Sequence, residues 1–203
     1  MALTKVQAEG VNLADNFAFT GTVSGSGMDL LLSSTISSAV ALFDITSTYI
    51  NSTYDEYKLF YSLDTVVDSK SLQGQVFVGG SVVTTTVYQY EHMKYDDAVG
   101  SGSNGNTVFY IGGQNCGNVA GEGTTGVMTL YNVNSTDFPF QAVGMTNMHN
   151  TSNNHNGGSS FGLSLDISEK GSVVNGFRLF YSGADGSGNT IASGTVKLYG
   201  MRS

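Results

Sequence analysis

From residue 28 onward the chain consists of short runs in which apolar and polar residues alternate, separated by clusters of Gly, Ser, Asn and Asp. Successive side chains of an extended strand point to opposite faces, so each run predicts a half-buried β-strand. The runs cover 28–36, 38–45, 57–63, 72–78, 82–93, 107–111, 125–133, 138–148, 161–167, 174–181 and 191–199. In the third, Tyr57, Leu59, Tyr61 and Leu63 share one face, and Lys58 and Ser62 lie on the other. In the last, Val196 and Leu198 oppose Thr195, Lys197 and Tyr199. No window combines the helical spacing i, i+3, i+4, i+7 with good helix formers. So many short strands predict an all-β protein, an antiparallel sandwich of two sheets. A jelly roll is the first expectation and a longer Greek-key sandwich the alternative. One echo is visible, Tyr57-Lys58-Leu59-Phe60-Tyr61-Ser62 against Phe177-Arg178-Leu179-Phe180-Tyr181-Ser182. It predicts two central strands in similar surroundings, as neighbours in one sheet.

The first 27 residues break the pattern. Leu3, Val6, Val11, Leu13, Phe17, Phe19 and Val23 are spread among polar residues, and Gly25-Ser26-Gly27 ends the stretch. Such a segment cannot bury its own Phe side chains. It is expected to be an extended arm (1–27) for assembly or anchoring, ahead of a sandwich domain (28–203). Its larger apolar residues, Leu13, Phe17 and Phe19, would each contribute roughly 1.5–3 kcal/mol when fully buried on a partner.

Composition narrows the function. The 203 residues suit one domain, and folding at that size buries roughly 70% of the extended chain's surface. Only 12% of residues are charged, against about 25% in ordinary domains. Hydroxyls and amides therefore make the polar surface, as in extracellular β proteins and viral shells. A net charge of −8 with eight scattered Lys and Arg argues against nucleic acid and against anionic membranes as partners. The opening Met1-Ala2-Leu3-Thr4-Lys5 has no signal-peptide core. No apolar run approaches the roughly 20 residues that span a bilayer. Synthesis in a cytoplasm is expected, with any extracellular role reached by particle assembly.

Candidate chemistry is sparse. The carboxylates fall mostly in turns, such as Asp55-Glu56 and Asp96-Asp97, where they are usually solvated. No catalytic carboxylate pair and no Gly-x-Ser-x-Gly elbow is predicted, so no enzyme is expected. No cofactor is expected either. The glycine-rich runs 100–105 and 183–188 read as hairpin loops. Asp185, Ser187 and Asn189 have the spacing of the first ligands of a calcium loop, but Val196 stands where the closing acid is required. His149 and His155 flank a polar run and lack a third metal ligand at a recognisable spacing. The single cysteine, Cys116, rules out an intrachain disulfide and is read as a small residue in or beside the glycine-rich loop 112–117, with a cross-chain disulfide as the alternative. Sequons at Asn51, Asn134 and Asn150 carry little weight in a chain so rich in Asn, Ser and Thr. The best candidate for surface recognition is Tyr88, Tyr90 and Tyr95 with His149 and His155; cross-strand packing is the competing role for the tyrosines.

The opening 3–6 and 12–23, the Tyr-containing turns Ser47-Thr48-Tyr49 and Ser52-Thr53-Tyr54-Asp55-Glu56-Tyr57, and the close at 191–200 resemble segments of fibre-like structural proteins of tailed bacteriophages, especially marine and cyanobacterial ones. The resemblance implies a β-sandwich head, a homotrimer and a place on the outer surface of a virion. It transfers no catalytic residue. Two roles follow as expectations. One is a capsid decoration (cement) protein contacting the major capsid protein. The other is a tail-fibre or spike tip that contacts tail proteins and binds a host surface glycan.

Overall fold

A computed structural model describes residues 27–94, 100–112, 116–119, 121–150, 155–182 and 188–201. The arm residues Leu3, Val6, Val11, Leu13, Phe17, Phe19 and Val23 lie outside the described residues, as do Tyr95 and the run 183–187. The side chain of His155 also lies outside them.

The fold is all-β. Its strands are β1 (Asp29–Ile36), β2 (Phe43–Ile45), β3 (Glu56–Thr65), β4 (Ser71–Val78), β5 (Ser81–Val82), β6 (Tyr88–Lys94) and β7 (Gly100–Asn106). There follow β8 (Phe109–Tyr110), β9 (Gly123–Tyr131), β10 (Gln141–Asn150), β11 (His155–Leu165), β12 (Val174–Ser182), β13 (Gly188–Asn189) and β14 (Ile191–Met201). Among the described residues one 3-10 turn occurs, Ile167–Glu169, capped by the Asp166 carboxylate, which accepts from the Ser168 N–H. The large sheet runs β1-β14-β3-β9-β10-β11-β6-β7. The small sheet runs β13-β12-β4-β5, with β2 on β12 and β8 on β4. All pairings are antiparallel. The two sheets pack as a sandwich, an order compatible with the expected jelly roll.

Alternation builds the core. Along β3, Tyr57, Leu59, Tyr61, Leu63 and Thr65 are buried and the residues between them are not. β12 does the same with Phe177, Leu179 and Tyr181. The two echoing segments are therefore not neighbours in one sheet. They face each other from opposite sheets, because a sandwich core has two walls that impose the same inward pattern. Between the walls the rings of Tyr88, Phe109, Phe140 and Phe177 follow one another at centroid separations of 4.6, 6.0 and 6.2 Å.

Two buried tyrosines fasten the sheets together. Tyr181 of the small sheet donates to the Leu63 carbonyl of the large sheet at 2.9 Å. Tyr88 of the large sheet donates to the Val83 carbonyl at 2.7 Å and accepts from the Val76 N–H at 3.1 Å. Burial is thus combined with satisfied polar groups, which a dry interior demands.

Two expectations are corrected. The run 82–93 is two strands, since the chain bends between β5 and β6 and Val83 donates back to Val76. The glycine-rich run 100–105 is not a loop but β7, paired to β6 through backbone groups that need no side-chain signal.

Candidate functional site

The two outward faces of the sandwich differ in how they treat apolar side chains. On the small sheet, Phe77 is capped by the Arg178 guanidinium, 5.3 Å from the ring centroid. Asp44 holds that guanidinium with two bonds of 2.7 and 2.8 Å, and this pairing raises the Arg178 pKa. On the large sheet Lys58 Nζ approaches only the Phe60 ring, and no such contact is seen over Val143, Met145 or Met93 among the described residues. Strand register sets Phe60, Val127, Met145, Ser160 and Met93 side by side on one outward row. The adjacent row is Tyr199, Lys58, Thr129, Val143, Gly162 and Glu91. Met145 is 57% exposed, Met93 59% and Val143 51%.

Three shallow depressions lie along this band. The first, about 420 Å³, is bordered by Met28, Phe60, Lys197 and Tyr199. The second, about 340 Å³, lies over Lys58, Val127, Val143 and Met145. The third, about 530 Å³, lies between Val143, Met93 and Glu91 over Gly162, Gly100 and Gly102. Gly162 shapes the third, because a Cβ there would meet no atom within 4 Å. Phe60 and Tyr199 pack edge to face at 5.6 Å, and Lys58 Nζ sits 5.9 Å from the Phe60 centroid. Water is poorly accommodated along such a band, so its direct capability is to bury apolar surface on a partner.

The sequence-predicted recognition residues are not brought together. Tyr88 is fully buried and belongs to the core, not to a surface. Burial pushes its phenol up to about 12. Tyr90 is half-buried, packed against His92 and Tyr110 at 5.3 and 5.1 Å. Packing between the sheets, and for Tyr90 also along its own strand, accounts for both. His149 lines a separate small depression with Asp64, Glu122 and Asn147. Its carboxylates already have structural partners: Glu122 accepts from the Val119 N–H at 2.9 Å, and Asp64 from the Ser193 hydroxyl at 2.7 Å. No group of three His, Cys, Asp or Glu able to hold a metal occurs among the described residues.

Cys116 is sealed inside, 3.7 Å from the Tyr181 hydroxyl, and burial raises its thiol pKa. A cross-chain disulfide at this position is therefore inaccessible in the folded protein. The Asn134 amide is also committed, donating to the Asn51 and Tyr54 carbonyls at 2.9 and 3.0 Å.

Sequence reasoning missed the apolar band because its members come from separate strands and meet only through register. The local signal was the apolar residue at the polar beat of a strand: Phe60 between Leu59 and Tyr61, or Met145 in the run 138–148. Comparison of the chain with known family models, curated proteins and solved structures returns no match.

Proposed function

We propose that the chain is a non-enzymatic structural protein of a tailed-phage virion. Its role is a capsid decoration protein that works as a homotrimer on the outer shell. The observation that carries the assembly part is the contiguous apolar band from Phe60 to Met93, more than half exposed at Val143, Met145 and Met93. Other exposed apolar residues, such as Phe138 and Ile167, do not belong to this row; a contiguous exposed apolar band marks a surface that a partner covers. The virion part rests on the resemblance of the chain's opening and closing segments to phage fibre-like proteins. The test is the mass of the purified protein by light scattering, together with its copy number in purified particles. A trimer present in hundreds of copies is expected. A monomer, or absence from particles, overturns the reading.

A second reading, a tail-fibre or spike tip binding a host surface glycan, is favoured by one feature. Phe60 and Tyr199 present an edge-to-face aromatic pair beside Ser62, Thr125 and Thr195. A sugar ring stacks on such a pair while hydroxyls bond its edge. Only a few dozen copies per particle, with glycan-array binding abolished by Tyr199→Ala, would select this role.

A further inference from the structure

The length of chain ahead of β1 and the point at which it joins the fold bear on what covers the band. The described chain begins beside the band: Met28 borders the same depression as Phe60 and Tyr199. From the strand carrying Tyr199 to the strand carrying Met93 there are five inter-strand steps, or about 24 Å at about 4.8 Å each. In the preceding chain Val11, Leu13, Phe17 and Phe19 occupy odd positions, with Asn12, Ala14, Asn16 and Ala18 between them. That is a period of two, and residues 11–19 drawn out span about 26 Å, the width of the band. Between this run and Met28 stand residues 20–27, Thr-Gly-Thr-Val-Ser-Gly-Ser-Gly, with one large apolar residue.

Reach allows a neighbouring copy to receive the run, and the assembly proposed above selects it. Counted back from Met28, Phe19 lies about 30 Å away along an extended chain and Val11 about 56 Å. The chain's own band ends at about 24 Å. An arm laid straight from Met28 over its own sheet would place the Gly- and Ser-rich linker on the apolar row and carry Phe17 and Phe19 beyond it, so its own sheet could receive the run only through a turn within the linker. An arm directed to a neighbour sets its apolar run on apolar surface. Charge agrees with this placement. Asp15 shares the side of Leu13 and Phe17 in the period-two pattern, and Lys58 stands within the band beside Phe60.

We infer that residues 11–19 of one copy lie across the outward face of the large sheet of a second copy, along the row Phe60–Val127–Met145–Met93. The inference rests on the assembly part of the function proposed above and names the partner of that surface, a second copy of this chain. Closed rings follow when each arm is received by the next copy, a heterologous contact that closes by rotation.

The test uses full-length Phe17→Cys and Met145→Cys, carrying different tags and produced together under oxidising conditions, and the chain with both substitutions produced alone. The expected result is a disulfide-linked species with both tags, while neither version alone forms one. Linkage only in a doubly substituted chain, within that chain, overturns the inference in favour of the arm's own sheet. Linkage of Met145→Cys with itself overturns it in favour of face-to-face packing. Absence of any linkage, with circular dichroism and melting unchanged, overturns it outright. A second variant, Met145→Asp, is expected to convert the oligomer to monomer by light scattering without loss of strand signal; a retained oligomer counts against the inference. Arm exchange without particle binding would remove the virion role and leave this inference standing. Particle binding without arm exchange would do the reverse.

Discussion

Replacing Tyr88 by Phe removes one oxygen atom and tests whether this residue fastens the sheets or serves a surface. The ring stays, so its edge-to-face contact with Phe109 at 4.6 Å is kept and no cavity opens. What disappears is the acceptor for the buried Val76 N–H and the donor to the Val83 carbonyl. Leaving a buried donor unsatisfied costs about 1–3 kcal/mol. The Val83 carbonyl is half-buried and regains part of its loss from water. The combined effect is expected to be about 2–3 kcal/mol. In a domain of this size each kcal/mol moves Tm by about 2–4 °C, so a fall of about 4–12 °C is predicted. Differential scanning calorimetry reads the shift. A urea titration should show a lower midpoint with an unchanged m-value, the mark of lost stability without altered compactness. Tyr199→Phe, on the outward face, serves as the control and should stay within about 0.5 kcal/mol. If Tyr88→Phe melts with the wild type, the inter-sheet latch contributes nothing and the reasoning fails.

Alkaline pH should unfold the protein cooperatively. Burial raises the phenol pKa values of Tyr88, Tyr61 and Tyr181, whereas an unfolded chain ionises them near 10. Their contribution is therefore complete below pH 10 and lost as pH rises above it, a loss that Tm measured from pH 8 to 11 would reveal. Gly144→Ala would set a Cβ 2.5 Å from the Phe161 ring and 2.5 Å from the Val127 carbonyl oxygen. Forced overpacking of this kind costs about 1–3 kcal/mol, measurable by urea denaturation; because the Val127 contact is with backbone, motion of the Phe161 ring alone cannot relieve it, and a neutral outcome would refute the prediction. Asp44→Ala should cost no more than about 1 kcal/mol, because the pair with Arg178 is partly exposed, and the cost should shrink in high salt. Cys116 should ignore a thiol reagent in the native protein and react fully in denaturant; fast native labelling would contradict its burial.

The fold class was legible because most strands are half-buried, and half-burial writes itself as alternation. Tyr57 to Leu63 and Thr195 to Tyr199 carried the right faces without any knowledge of their neighbours. β7 was illegible for the opposite reason. Its Gly, Ser and Asn residues are held by backbone pairing, as in His92 opposite Ser101, so composition mimics a loop. The bend between β5 and β6 lacked a Gly or Pro marker, and only the Val83 to Val76 bond reveals it. With Tyr88 the period was right and the face was wrong: sequence places Tyr88 and Tyr90 on one side of a strand but does not say which side meets the core. The apolar band was hidden more deeply. Phe60, Val127, Met145 and Met93 are each one apolar residue on a polar beat, tens of residues apart, and only register turns them into a surface.

The same sheet shows why association is expected through a face and not through an edge. An edge strand with unpaired backbone groups invites another strand, and proteins blunt such edges with bulges and short or polar segments. Among the described residues both edges of the large sheet are blunted. β1 carries a register shift between Leu30 and Leu32, and β7 pairs to β6 through a shift between Tyr88 and Tyr90. β7 also presents Gly100, Gly102 and Gly105, the last at φ +68°, a poor template for a regular ladder. Edge growth would be open-ended and would lead to fibres, whereas a face that receives one short segment saturates when it is covered. On the assembly proposed above, a sandwich with blunted edges and one exposed apolar row would bind a limited number of partners. Which partner depends on chemistry supplied from outside the sandwich, and residues 11–19 carry apolar side chains at the spacing that the row requires.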